Sequence, residues 1–175
     1  MNAIDVIDIE NMKPCPYDIQ EVINKNFMDL LDTSKHGTKT DPYMNFHNVV
    51  QRLKDEYEKH NNLVIAFDFD NTIYDFHNKG YEFPEVIDLL YRASMLNLTL
   101  VCYTGNEDEA LVRSVCAKYN IRIDYMNESP IKSVSKPHKP YFSILLDDRA
   151  GLASAVEALH YVIYEIEKLK ELQND

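Results

Sequence analysis

Two aspartates one residue apart, Asp68 and Asp70, end the apolar run in LVIAFDFDNTIYD (63–75). Extended backbone sends residues i and i+2 to one face, so the two carboxylates lie side by side if the strand persists. Like charges at that spacing repel, and more strongly once water is excluded. The pair therefore calls for a compensating partner. Further along, Thr104 and Gly105 in YTGN (103–106), and Asp147 and Asp148 in ILLDDRAG (144–151), follow other short apolar runs. Four carboxylates and a hydroxyl from three such ends form a hard oxygen set, which selects magnesium over zinc or copper. Magnesium in turn accompanies phosphate. Residues 129–146, SPIKSVSKPHKPYFSILL, contain no Asp or Glu but carry Lys132, Lys136, His138 and Lys139. In a chain of net charge −11 this is a local basic arm, able to draw a phosphate to the acids and balance its charge.

The elements that must bring these residues together are short. Branched apolar runs at 63–69, 98–103, 121–125 and 142–146 read as strands. Helical patterns lie between them at 84–96, opening on Pro84 at a first-turn position, and at 106–118, and a long final helix covers about 149–172. Strands alternating with helices imply a parallel sheet between helices, doubly wound and Rossmann-like, an α/β fold. Ligands of such sheets bind beyond the carboxyl ends of the strands. Thr104 and Gly105 would then sit just before a helix N-terminus, a ready anion site. Upstream, 17–32 and 45–60 repeat an amphipathic helical stripe, separated by a loop at 33–42, so that 1–60 forms a helical extension packing on a core of 61–175. The last helix steps through Leu152, Val156, Leu159, Ile163 and Ile166, and then continues to Leu169 and Leu172 beyond what a small sheet covers. That tail is compatible with docking on the N-terminal helices or on a second copy in a homodimer.

DFDNT, then YTGN, then a lysine, then ILLDDRAG, in this order, resembles the four-motif signature of the haloacid dehalogenase superfamily, most of whose members are magnesium-dependent phosphatases. The resemblance covers about 63–165. It implies that Asp68 is the nucleophile forming an aspartyl-phosphate, and that Asp70 is the general acid for the leaving alcohol and then the base for water. It implies that Thr104 hydrogen-bonds a phosphoryl oxygen and that a lysine steadies nucleophile and phosphate. Lys139, eight residues before Asp147, has the fitting spacing, with Lys132 and Lys136 on the same arm. Magnesium would be held by Asp68, the Asp70 backbone carbonyl and Asp148, with Asp147 in support. One departure is Asn71, where many relatives carry glycine.

Only residues 73–103 separate Thr72 from Thr104, and 105–146 separate Thr104 from Asp147, too little for the large cap domain that many relatives insert. Capless relatives often act on large substrates, and DDR at 147–149 is also similar to the phosphatase domain of polynucleotide kinase–phosphatases. The flap YDFHNKGYEF (74–83) offers Tyr74, Phe76, His77, Tyr81 and Phe83 either as a stacking surface for a base or as packing onto the core. The reading is a phosphomonoester hydrolase for a phosphorylated small molecule of nucleotide type or a nucleic-acid end. The alternative is a silent module of the same fold that holds a phosphorylated ligand or partner. The acidic balance and the lack of a long basic stripe disfavour non-specific nucleic-acid binding. Cys15, Cys102 and Cys116 have no paired spacing, which excludes a disulfide scaffold or zinc ribbon. No secretory lead and no run near 20 apolar residues is seen, which points to a cytoplasmic protein without a membrane span.

Overall fold

The computed structural model describes residues 45–131 and 140–174, with the side chain of residue 174 excepted. The 17–32 stripe, the 33–42 loop, Cys15, and Lys132, Lys136, His138 and Lys139 of the basic arm lie outside the described residues. Within them the element order is α1 (Phe46–His60), β1 (Val64–Phe67), α2 (Pro84–Met95), β2 (Thr99–Cys102), α3 (Glu109–Lys118), β3 (Tyr125–Met126), β4 (Ile144–Leu146) and α4 (Leu152–Asn174).

The strands form one parallel sheet in the order β3-β2-β1-β4, flanked by helices, a Rossmann-like α/β architecture. Phe67 pairs with Cys102 on one side and Leu146 on the other, so the three inner strands end level. The chain runs outward from β1 through β2 to β3 and then returns to the opposite side of β1. The direction of winding therefore reverses between β1 and β4, the place where open α/β sheets take their ligands.

Strand residues alternate faces. Ile65, Phe67, Leu100, Cys102, Ile144 and Leu146 join a core with Val50 and Leu53 of α1, Leu89 and Leu90 of α2, Val112 and Cys116 of α3, and Leu159 and Ile163 of α4. The alternate residues Val64, Ala66 and Val101 are also buried, beneath Tyr103, Tyr125, Phe142 and Leu145, and no described helix contributes to this second cluster. Cys102 and Cys116 are buried free thiols. No helix of the described residues is long and apolar enough to cross a membrane.

Local chemistry sets the helix ends. Asn45 caps α1 through its carboxamide oxygen, which accepts the amides of His47 (2.9 Å) and Asn48 (3.4 Å). Pro84 opens α2. Asparagine, in a chain with four glycines, occupies the left-handed positions that follow α1, α2 and α3, namely Asn61 (φ 48°), Asn97 (φ 59°) and Asn120 (φ 54°). Arg92 of α2 grips Glu167 of α4 with two nitrogens, at 2.9 and 2.6 Å.

The third strand falls at 125–126 rather than at 121–125. Ile121 is buried as an apolar core residue, but the segment after it is held by side chains. Asp124 Oδ2 takes the Leu100 amide (2.8 Å), while the Arg122 guanidinium binds Asp124 (2.6 Å) and the Leu98 carbonyl (2.7 Å). The clasp holds the segment up to Tyr125, joined by one backbone bond from the Asp124 amide to the Leu100 carbonyl (3.0 Å).

At the end of the sheet away from the acids, Ser143 (4% exposed) fastens β4 to β1. Its Oγ accepts the Val64 amide (2.8 Å) and donates to Glu56 of α1 (2.5 Å), which also accepts from the Tyr141 hydroxyl (2.6 Å). Arg52 completes the knot by donating to the Ser143 carbonyl (2.9 Å). Ser143→Ala strands a buried amide and one lobe of a carboxylate, so chemical denaturation is expected to show a loss of about 1–3 kcal/mol.

Candidate active site

The acids stand at the level ends of the inner strands. Beyond β1 the ladder continues for one residue, with the Asp68 amide donating to the Leu146 carbonyl and the Tyr103 amide to the Phe67 carbonyl, both at 2.9 Å. The strand then stops. The Phe69 carbonyl accepts the amides of Ile73 and Tyr74, each at 3.1 Å, and Asn71 adopts φ 59° so that its own amide can reach the Tyr74 carbonyl (2.7 Å). Position 71 requires left-handed backbone, which explains why asparagine serves where relatives of the resembled family carry glycine.

The strand ends before Asp70, so extended spacing alone no longer sets how Asp68 and Asp70 stand to each other, although the Asp70 charge is still felt at Asp68. Asp70 turns to the β2 side, where its Oδ1 accepts from the Asn106 side-chain amide (3.1 Å). Asp68 instead meets Asp147 and Asp148, and one carboxylate oxygen from each of the three lies within 4.8 Å of the others. Asp68 and Asp147 are half-buried and Asp148 is less so.

Thr72 ties this arrangement together. It is fully buried, and its hydroxyl accepts the Asp148 amide (3.3 Å), joining the turn after β1 to the turn after β4. The Asp147 carboxylate accepts the Arg149 amide (2.7 Å), which fixes the second turn from within. The Arg149 guanidinium reaches Asp148 at 4.0 Å with its side chain largely in solvent, where it does little to offset the acids.

The electrostatic result falls on Asp68, whose carboxyl is pushed up to about 6. Burial is the main cause; the Phe69 backbone hydrogen bond opposes it, and the charges of Asp147, Asp148 and Asp70 add to the rise. Three converging carboxylates with only oxygen donors, and with no close cation among the described residues beyond the distant Arg149, suit a hard divalent cation.

Thr104 stands at the end of β2, on the same rim, but does not sit at a helix N-terminus. The N-cap of α3 is Asp108, whose carboxylate accepts the Leu111 amide (2.9 Å). Thr104 Oγ1 accepts the Asn106 amide (3.0 Å), and Asn106 Oδ1 accepts the Asp108 amide (3.0 Å). Three short polar side chains compete to start the helix, and the last one wins. With Glu107, Asp108 and Glu109 crowding that end, it is a poor place for an anion.

Two residues of this site were not singled out by sequence reasoning. Asn106 bridges Thr104 and Asp70. Asn127, left-handed after β3 (φ 54°), accepts the Thr104 amide with its Oδ1 (2.8 Å). The N of YTGN was a local signal for the first, whereas nothing near Asn127 signals the second.

No protein-family model matches this chain, and no curated protein matches it. Among solved structures it is similar to a conserved protein coded by a locus from Bacteroides thetaiotaomicron, with 20% identity over 61% of this chain and 91% of that one and a TM-score of 0.45.

Proposed function

We propose that this protein is a magnesium-dependent phosphomonoester hydrolase working through an aspartyl-phosphate. The observation that carries the reading is the convergence of Asp68, Asp147 and Asp148 within 4.8 Å at the reversal point of the sheet. The order of motifs that resembles the haloacid dehalogenase superfamily supports it. Asp68, Asp147 and Asp148, with the Asp70 backbone, are the residues that would hold the cation. When bound, the cation supplies positive charge for the phosphoryl oxygens and keeps Asp68 ionised.

In the first half-reaction an Asp68 carboxylate oxygen forms the bond to phosphorus as the ester oxygen leaves, and Asp70 gives that oxygen its proton. In the second, Asp70 takes a proton from water, whose oxygen attacks the same phosphorus and releases inorganic phosphate and free Asp68. Asn106 orients the Asp70 carboxylate toward this exchange, and Thr104 hydrogen-bonds a phosphoryl oxygen. A lysine of the basic arm, Lys139 by spacing, steadies the phosphate. Most of the rate enhancement then comes from positioning and charge stabilisation.

Purified protein with magnesium is expected to release phosphate from members of a panel of nucleoside monophosphates, 3′-phosphorylated oligonucleotides and sugar phosphates, and to stop when the metal is chelated. Silence on the whole panel, with phosphorylated ligands still bound, would instead favour the non-catalytic module.

A further inference from the structure

We infer that Phe76 and Tyr81 form the leaving-group subsite of this same site and select phosphomonoesters that carry a nucleobase, an inference that rests on the proposed hydrolase reading. The aromatic residues of the flap divide into two groups. Tyr74 is core-facing, its ring stacked on buried Phe69 at 5.0 Å and 13°. Phe76 and Tyr81 stand out in solvent, 52% and 58% exposed. Exposing two large rings costs solvation free energy, and neither ring joins the buried core clusters.

The flap nevertheless fixes where they stand. Its first residue, Tyr74, makes a bridge with Asp70, and the Phe76 amide donates to the Tyr74 carbonyl (2.9 Å). Phe76 is thus two residues from the anchor beside Asp70. Asp75 then draws the far side of the loop back, with its Oδ2 accepting the amides of Gly80 (2.7 Å) and Tyr81 (3.2 Å). Its carbonyl takes the Asn78 amide (3.1 Å), and Asn78 and Gly80 supply the left-handed turns, at φ 51° and 77°. Phe76 and Tyr81 are thus both anchored at Asp75, one residue beyond the Tyr74 bridge to Asp70. The edge of His77 supports Phe76 (5.2 Å, 75°).

A leaving group protonated by Asp70 must lie on the Asp70 side of the phosphate, which is the side from which the flap rises. A planar ring there gains stacking on an aromatic face whatever its hydrogen-bonding edge. Stacking reads no base edge, so the preference expected is for nucleotides as a class over the bare sugar phosphate, rather than for one base.

The chain has no tryptophan, so Phe76→Trp places a single tryptophan, excited selectively over the tyrosines, on the flap. In an Asp68→Asn background with magnesium, adenosine 5′-monophosphate is expected to quench this fluorescence saturably, and ribose 5-phosphate is not. Without the fluorophore, calorimetry on Asp68→Asn should give a preference for adenosine 5′-monophosphate over ribose 5-phosphate of about 5- to 150-fold, the range of one base–aromatic stack. Adding Phe76→Ala and Tyr81→Ala should bring that ratio toward one. Equal affinities before the alanine changes, or a preference that survives them, would overturn the inference. The hydrolase reading is judged separately by turnover in the parent, so binding preference without turnover retires only that reading.

Discussion

Asp68→Asn is expected to lower phosphate release by at least ~10³-fold, the scale of losing a covalent nucleophile, while making the metal-free protein more stable. The stability effect is electrostatic. In the folded protein Asp68 is pushed up to about 6 by burial and by three neighbouring acids, against about 4 in the unfolded chain. The folded state thus binds the proton more tightly. Below the unfolded value the carboxyl is neutral in both states and carries no penalty. As pH rises through about 4 to 6, ionisation favours the unfolded chain and stability falls, and above 6 the full penalty remains. Melting curves without metal should therefore show a transition temperature that drops over this interval in the parent and drops less in Asp68→Asn. Magnesium at neutral pH should restore the parent, by about 2.7 kcal/mol at a hundred times its dissociation constant. A variant as unstable as the parent at pH 7.5 without metal would count against a charge penalty at this position.

The second large effect is expected in α4. Leu159→Ala should cost about 2–5 kcal/mol, since Leu159 is fully buried in the main core with Ile163 and Val162. That is a large share of the 5–15 kcal/mol usual for a domain. Thirteen residues on, Leu172 is 76% exposed, and Leu172→Ser should change stability by no more than about 0.5 kcal/mol. Denaturant titration of the two variants reads both numbers at once. A marked loss from Leu172→Ser that depends on protein concentration would show that the end of α4 is covered by a second copy.

The sheet was legible in the sequence because β1 is buried on both faces and so reads as an unbroken apolar run from Val64 to Phe67. The stripe of α4 was legible for the opposite reason, because one face alone is apolar; Val156, Leu159, Ile163 and Ile166 are buried as their spacing predicts, while Leu169 is not. β3 was misplaced because Ile121 and Ile123 look like strand residues, whereas the choice between ladder and clasp was made by Arg122 and Asp124 reaching other segments. The convergence of Asp147 and Asp148 on Asp68 follows from strands that end level. The setting of Asp70 does not, since it depends on a left-handed residue at 71 and on an amide from Asn106. Side chains that accept from backbone at a distance, such as Asn127 and Ser143, leave no periodic trace in a sequence.

Among the described residues six asparagines, at 61, 71, 78, 97, 120 and 127, hold left-handed backbone. Glycine could bend the chain equally well at each of them, and would relieve a steric cost of about 1–2 kcal/mol. The substitutions would nevertheless not be equivalent. Asn97 lends its oxygen to Arg122 (3.2 Å) and Asn127 lends its own to Thr104, so at those two reversals a glycine keeps the curve and forfeits a tether. Mutational drift toward glycine should thus be tolerated unevenly among the six, with 127 the position where it would loosen the rim that carries Thr104.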